Sequence, residues 1–121
     1  TRIIGAAAEA SRALALSMRA GRVVDCDHHD TLADAVAGGI DEDTLTLPLA
    51  QAVVDEVITC SETDILAALR VLARDEMLLV EGAAALAFAA YRKVAPKGER
   101  NVVLLCGGNF DGPKLRALAL G

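Results

Sequence analysis

The sequence predicts an α/β fold, a mostly parallel sheet flanked by helices, and three observations lead there. Residues 3–7 form a short aliphatic run followed at once by helix formers over 9–20, a strand-then-helix unit. Strand-like runs at 3–7, 57–60 and 102–105 are then separated by helical patterns along the whole chain. The last of these, Val-Val-Leu-Leu, lacks the polar alternation of a half-wet strand and is expected to be buried on both faces, inside a parallel sheet.

Taken in order, Gly21 stops the first helix, in which Leu14 and Met18 share a face that Ala10 extends by one turn. Residues 25–30, Asp-Cys-Asp-His-His-Asp, contain metal-ligating types in Cys26, His28 and His29. Adjacent histidines point apart and the spacing fits no standard zinc pattern, so a solvated loop is the expectation. A short helix is expected over 31–37, ended by Gly38-Gly39, and a loop at Asp41-Glu42-Asp43. Pro48 is placed to open a helix over 49–54.

After the second strand, Ser61 can cap a helix, with Asp64 standing where a capping box usually has Glu. Ile65, Leu69 and Leu72 form its apolar stripe, and Arg70, Arg74 and Asp75 are expected to face water. The segment 78–91 is apolar nearly all round, the mark of a helix packed on several sides. Glu81 is its exception. Either the free amides and positive end of the helix hold that carboxylate, which is the first expectation, or it points into a ligand site. Pro96, Lys97 and Gly98 read as a surface loop, and Asp111-Gly112-Pro113 opens a last helix over 114–120.

The chain is organised around 101–111. Its strand runs into Cys106 and then Gly107-Gly108, where missing β-carbons permit a sharp turn or the close approach of a flat ligand. Ligands of open α/β sheets sit beyond the carboxyl ends of strands, so Cys106 is the place to look for chemistry. The competing reading is a plain strand-turn-helix join around a buried thiol.

Composition sets bounds. At 121 residues the chain is one domain at most, and with 54% hydrophobic but only 2% aromatic residues its core should be aliphatic. Such an apolar surplus implies that some surface is covered by something else. A net charge of −5 argues against nucleic acid or an anionic membrane as partner. The longest apolar stretch, 77–91, is interrupted by Glu81 and Gly82 and falls short of the roughly 18 to 20 residues needed to span a bilayer. No charged-then-apolar leader is seen, and the three cysteines show no close pairing, which fits a reducing cytoplasm. The chain opens on Thr1 and enters an interior-type strand directly, so a piece of a longer protein is expected. Repeats, heptads and low-complexity tracts are not found.

Three stretches in register resemble the carboxyl-terminal half of the pyridoxal-phosphate-dependent serine and threonine dehydratases, of fold type II or the tryptophan-synthase-β-like family. Thr31-Leu32-Ala33-Asp34-Ala35 is similar to that family's Thr-Ile-Ala-Asp-Gly, and Glu81-Gly82-Ala83-Ala84-Ala85-Leu86-Ala87 to its Glu-Pro-Ala-Gly-Ala-Leu-Ala. Cys106-Gly107-Gly108-Asn109 matches its Ser-Gly-Gly-Asn or Cys-Gly-Gly-Asn. The resemblance implies a partial three-layer sandwich, with residues 1–121 as the carboxyl-terminal part of a catalytic region whose amino-terminal part is absent.

It also implies pyridoxal 5′-phosphate as cofactor, with Cys106 facing the pyridine nitrogen. A thiol is neutral and a weak hydrogen-bonding partner, so it does not hold that nitrogen protonated, which favours β-elimination over a long-lived carbanion. By the same resemblance Gly107, Gly108 and Asn109 form the floor beside the ring, the backbone at Asp34 and Ala35 lies along its edge, and Glu81 is near the site.

The departures are specific. Ala35 replaces Gly, while Gly82 and Ala84 replace Pro and Gly. Ala7 and Ala13 stand where some relatives bind a cation through Glu and Asp, so no metal is expected. The family's cofactor lysine, substrate loop and phosphate cup all precede this chain, and Lys93, Lys97 and Lys114 match none of them. The chain alone is therefore expected to contain no catalytic residue and to be inactive. The implied activity is conversion of serine, threonine or a related β-hydroxy amino acid to a keto acid and ammonia. The implied partners are that small substrate, the amino-terminal part and further copies of the chain. The alternatives are a non-catalytic association module, or another fold type II activity such as racemisation or β-replacement.

Overall fold

The computed structural model describes residues 1–94, 100–109 and 111–121. Strand β1 (Ile4–Ala8) pairs in parallel with β2 (Glu56–Cys60), Ile4 opposite Glu56 and Ala8 opposite Cys60. Parallel strands need a long crossover, supplied here by helix α1 (Ala13–Ala20), a 3-10 turn (Asp34–Val36) and helix α2 (Thr46–Val53). Helices α3 (Glu62–Arg74), α4 (Gly82–Lys93) and α5 (Gly112–Leu120) follow β2. Beyond the ladder, the Asp55 N–H donates to the Ile3 carbonyl and the Glu9 N–H to the Cys60 carbonyl, both at 2.9 Å. The Asp55 carboxylate accepts the Ile3 N–H at 2.7 Å, and Arg2 pairs with Glu56.

The core lies where α3 and α4 pack on each other and on the sheet. Ile65 is fully buried with Cys60, Ala68, Ala84 and Ala85, so the close approach of these elements rests on small side chains. The α3 cap is formed as the sequence predicts. Ser61 Oγ accepts the Asp64 N–H at 3.2 Å, and Asp64 Oδ2 accepts the Ser61 N–H at 2.9 Å.

Lys93, at the end of α4, donates to the same Asp64 oxygen at 2.9 Å and to the Thr59 carbonyl at 3.0 Å. That ammonium, followed by the Ser61 bonds, holds the Asp64 carboxyl down at about 2, against an ordinary 3.8. A depressed carboxyl stabilises the fold fully above its ordinary value, and the contribution fades as pH falls from 3.8 towards about 2. Ser61→Ala is expected to cost about 1 kcal/mol in urea unfolding at neutral pH. The same variant should make the acid limb only slightly shallower in that window, because Lys93 and the residue-61 N–H still hold the Asp64 carboxylate.

Several boundaries differ from the sequence expectation. The run 102–105 forms no strand among the described residues, and Val102 is 94% and Leu104 71% exposed. Doubly buried strands need a neighbour on at least one edge and cover on both faces, and here only Leu105 reaches the core. Helix α4 starts at Gly82, not at 78. Met77 takes a left-handed φ of 57°, and the Leu78 N–H returns to the Leu72 carbonyl at 2.8 Å, so the chain leaves α3 and runs extended to Glu81.

The helix expected over 31–37 contracts to the 3-10 turn, and α1 starts at Ala13 because Ser11 and Ala8 close a turn ahead of it. On α1 the buried positions are Ala13, Ala15 and Ser17, with Leu14 and Met18 half-buried. Gly21 ends α1 in the left-handed conformation, as expected. Helix α2 starts at Thr46, which puts Pro48 inside its first turn, where a missing N–H costs nothing. Arg70 is half-buried and donates to the Leu118 carbonyl at 3.1 Å, tying α5 to α3 instead of facing water. The loop expected at Pro96, Lys97 and Gly98 lies outside the described residues.

Candidate functional site

The first wall is the loop 31–34. Thr31 Oγ1 donates to Glu62 Oε1 at 2.6 Å, and the Leu32 N–H donates to Glu62 Oε2 at 2.7 Å. The Ala33 N–H in turn donates to Thr31 Oγ1 at 3.1 Å, and Ala33 is completely buried. On its other side this loop meets the start of α4, where a β-carbon on Gly82 would run into the Leu32 carbonyl. Asp34 then emerges at the rim of a cavity of about 380 Å³. Glu81 and Asn109 line its polar side, and Leu32, Leu69 and Leu115 its apolar side.

The second wall is the turn 106–109. Glu81 is buried and its carboxylate makes no capping bond to the α4 amides, contrary to the first expectation for it. Oε2 instead accepts the Asn109 N–H at 2.9 Å, and the Glu81 N–H donates to the Gly107 carbonyl at 3.3 Å. Gly107 has φ 146°, a region open to glycine, and a side chain there would strike the Glu81 carboxylate. Beside it, a β-carbon on Gly108 would meet nothing within 4 Å.

Cys106 is exposed, so the competing reading of a buried thiol does not hold. The buried thiol is Cys60, which desolvation pushes up from its ordinary value.

The structure thus brings Glu81, Gly107 and Asn109 together, with Cys106 and Gly108 at the open side of the same turn. Ala35 is exposed in the 3-10 turn and does not line the cavity; its neighbour Asp34 does. Sequence reasoning missed Glu62, whose place beside Ser61 marks it only as an acidic residue at a helix start. The histidine loop is pinned to the β1–α1 turn: Ser11 Oγ bonds His28 Nδ1 at 2.7 Å and accepts the Gly38 N–H at 2.9 Å. Among the described residues no three His, Cys, Asp or Glu side chains gather as a metal would need.

The described residues thus form an α/β frame, a parallel strand pair backed by helices with a glycine turn bonded to a buried carboxylate. Residues 1–107 match the family described as "Pyridoxal-phosphate dependent enzyme", and the chain belongs to that family. It is similar to the L-threonine ammonia-lyase of Geobacter sulfurreducens, at 36% identity over 115 residues, covering 91% of this chain and 28% of that protein.

Among solved structures it resembles the processed form of threonine deaminase isoform 2 from Solanum lycopersicum, with a TM-score of 0.83 and 26% identity, over 99% of this chain and 36% of that one. It also resembles maize serine racemase, with a TM-score of 0.82 and 25% identity, over 96% and 37%. The chain spans between 27% and 34% of the length of the curated relatives it matches. Among the described residues no helix is long and apolar enough to cross a membrane.

Pyridoxal phosphate is the cofactor of this family. The turn fits such a group: Gly107 and Gly108 offer backbone without side chains, space is open over Gly108, and an exposed thiol stands next to them.

Proposed function

We propose that this chain is the carboxyl-terminal part of the catalytic region of a pyridoxal-phosphate-dependent ammonia-lyase. Its substrate would be serine, threonine or a related β-hydroxy amino acid, released as a keto acid and ammonia. The observation behind the reading is the Glu81–Asn109 bond, which holds the Cys106–Asn109 turn open at the cavity edge. The likeness to L-threonine ammonia-lyase supports the substrate class.

When bound, the cofactor supplies an electron sink for the substrate's α-carbon. The chain's own residues bind and orient. The Cys106 thiol would be the neutral partner of the pyridine nitrogen, Gly107 and Gly108 would admit the ring, and Asn109 would border it with the backbone at Asp34, Ala35 standing next to Asp34 outside the cavity lining. Leu32, Leu69 and Leu115 give one side of the cavity an apolar lining. Among the described residues Lys93 is already bound to Asp64 and the Thr59 carbonyl and is not placed to take the α-proton. In this reading the base is supplied by a part of the family's catalytic region that residues 1–121 do not match. In this reading the enzyme is cytoplasmic and works as a homo-oligomer.

The likeness to maize serine racemase favours racemisation as the second reading. Incubating the full-length protein with L-serine and L-threonine separates the two. Keto acid release is expected; loss of optical rotation without keto acid would reject the ammonia-lyase. In the same protein Cys106→Ala should lower kcat about tenfold and leave the Tm unchanged, since the side chain is exposed. An unaltered kcat would remove the role assigned to the thiol.

A further inference from the structure

We infer that Glu62 is a positioning residue for the cavity: by holding Thr31 and Leu32 on its two oxygens it fixes Asp34 opposite Glu81 and Asn109. It thereby sets the affinity of the cavity for the cofactor without touching it. The inference rests on the reading of the cavity given under Proposed function.

The geometry is a fork. One oxygen takes a hydroxyl at 2.6 Å and the other a backbone N–H at 2.7 Å, on adjacent residues. Short bonds to an ionised acceptor are the stronger kind, and two of them fix the rotation of the loop as well as its distance. Thr31 spends its hydroxyl proton on Glu62, so its oxygen is free to accept the Ala33 N–H at 3.1 Å. The Ala33 carbonyl then accepts the Val36 N–H at 3.1 Å and starts the 3-10 turn. Asp34 is the next residue, and it lines the cavity, which Glu62 does not.

Leu32 lies between two helices: its N–H is held by Glu62 on α3, and its carbonyl stands where a β-carbon on Gly82 of α4 would fall. The helix itself does not need Glu62 as a cap, because Ser61 and Asp64 already form the box. A carboxylate in the first turn also meets the helix dipole favourably, a purely structural role that the test must separate.

The test titrates pyridoxal phosphate into cofactor-free full-length protein and follows its absorbance, for wild type, Glu62→Gln, Thr31→Val, Thr31→Ser and the double variant Glu62→Gln/Thr31→Val. Glu62→Gln and Thr31→Val are each expected to raise the cofactor Kd about tenfold, the double variant no further, and Thr31→Ser to stay within about twofold of wild type. The Tm of the cofactor-free protein should move little. An unchanged Kd in Glu62→Gln, with or without a lower Tm, overturns the inference, as does an equal loss in Thr31→Ser and Thr31→Val. If Glu62→Gln fails to fold, the Val and Ser variants of Thr31 give the same decision. A wild type that binds the cofactor but releases no keto acid rejects the ammonia-lyase reading and leaves the role of Glu62 to the Kd comparison.

Discussion

Gly107→Ala in the full-length protein is expected to lower kcat/KM by about a hundredfold or more, with most of the loss traceable to weaker cofactor binding. Two costs coincide at this residue. Its φ of 146° is a conformation that an L side chain adopts only under strain, of order 1 to 3 kcal/mol. The new methyl would also run into the Glu81 carboxylate, which is buried and held at the Asn109 N–H, and so has little freedom to step aside. Relieving the clash means breaking that bond or swinging the turn, and either displaces Cys106 and Gly108 together. Titration of the cofactor alongside steady-state kinetics checks this. Wild-type affinity and kcat/KM in the variant would show that the turn does not border the reacting groups. Gly39→Ala is the matched control, because its β-carbon would enter open space and the residue does not line the cavity.

Gly82→Ala is expected to destabilise the full-length protein by about 3 kcal/mol, the upper end for overpacking, read as a shift in urea midpoint at constant m value. A β-carbon there overlaps the Leu32 carbonyl and comes within 3.1 Å of the Ala33 nitrogen. Backbone cannot rotate away as a side chain can, and this backbone is tied to Glu62 through the Leu32 N–H, with the Thr31 hydroxyl bonded beside it. Loop and helix start must therefore part, opening the cavity between them. An alanine variant as stable as wild type would mean that the loop is not pinned.

What the sequence made legible was local. The β1 and β2 runs, the Gly21 stop and the Ser61–Asp64 cap each depend on residues within a few positions, and each forms. The site was legible as three motifs, because Glu81, Gly107 and Asn109 are unusual where they stand. What bound them was not. The Glu81 carboxylate could be assigned to its own helix or to a ligand site, and only the fold brings the Asn109 amide to it.

Glu62 escaped for the same reason, its partners lying 30 and 31 residues away. The strand over 102–105 failed because apolar composition marks a segment that can be buried and does not supply the neighbours that bury it. The early start given to α4 failed because nothing in Met77 announces a left-handed residue, a role glycine usually fills.

Both carboxylate anchors, Glu62 and Glu81, sit at the first turns of helices whose shared core is mostly alanine: Ala68 on α3, and Ala84, Ala85 and Ala89 on α4. Methyl-sized packing leaves no slack to absorb a larger residue, so one added carbon in that seam would tilt α4 against α3 and move the two walls of the cleft as a pair. The width of the cleft is thereby set from the interior of the protein, by alanines that do not line it.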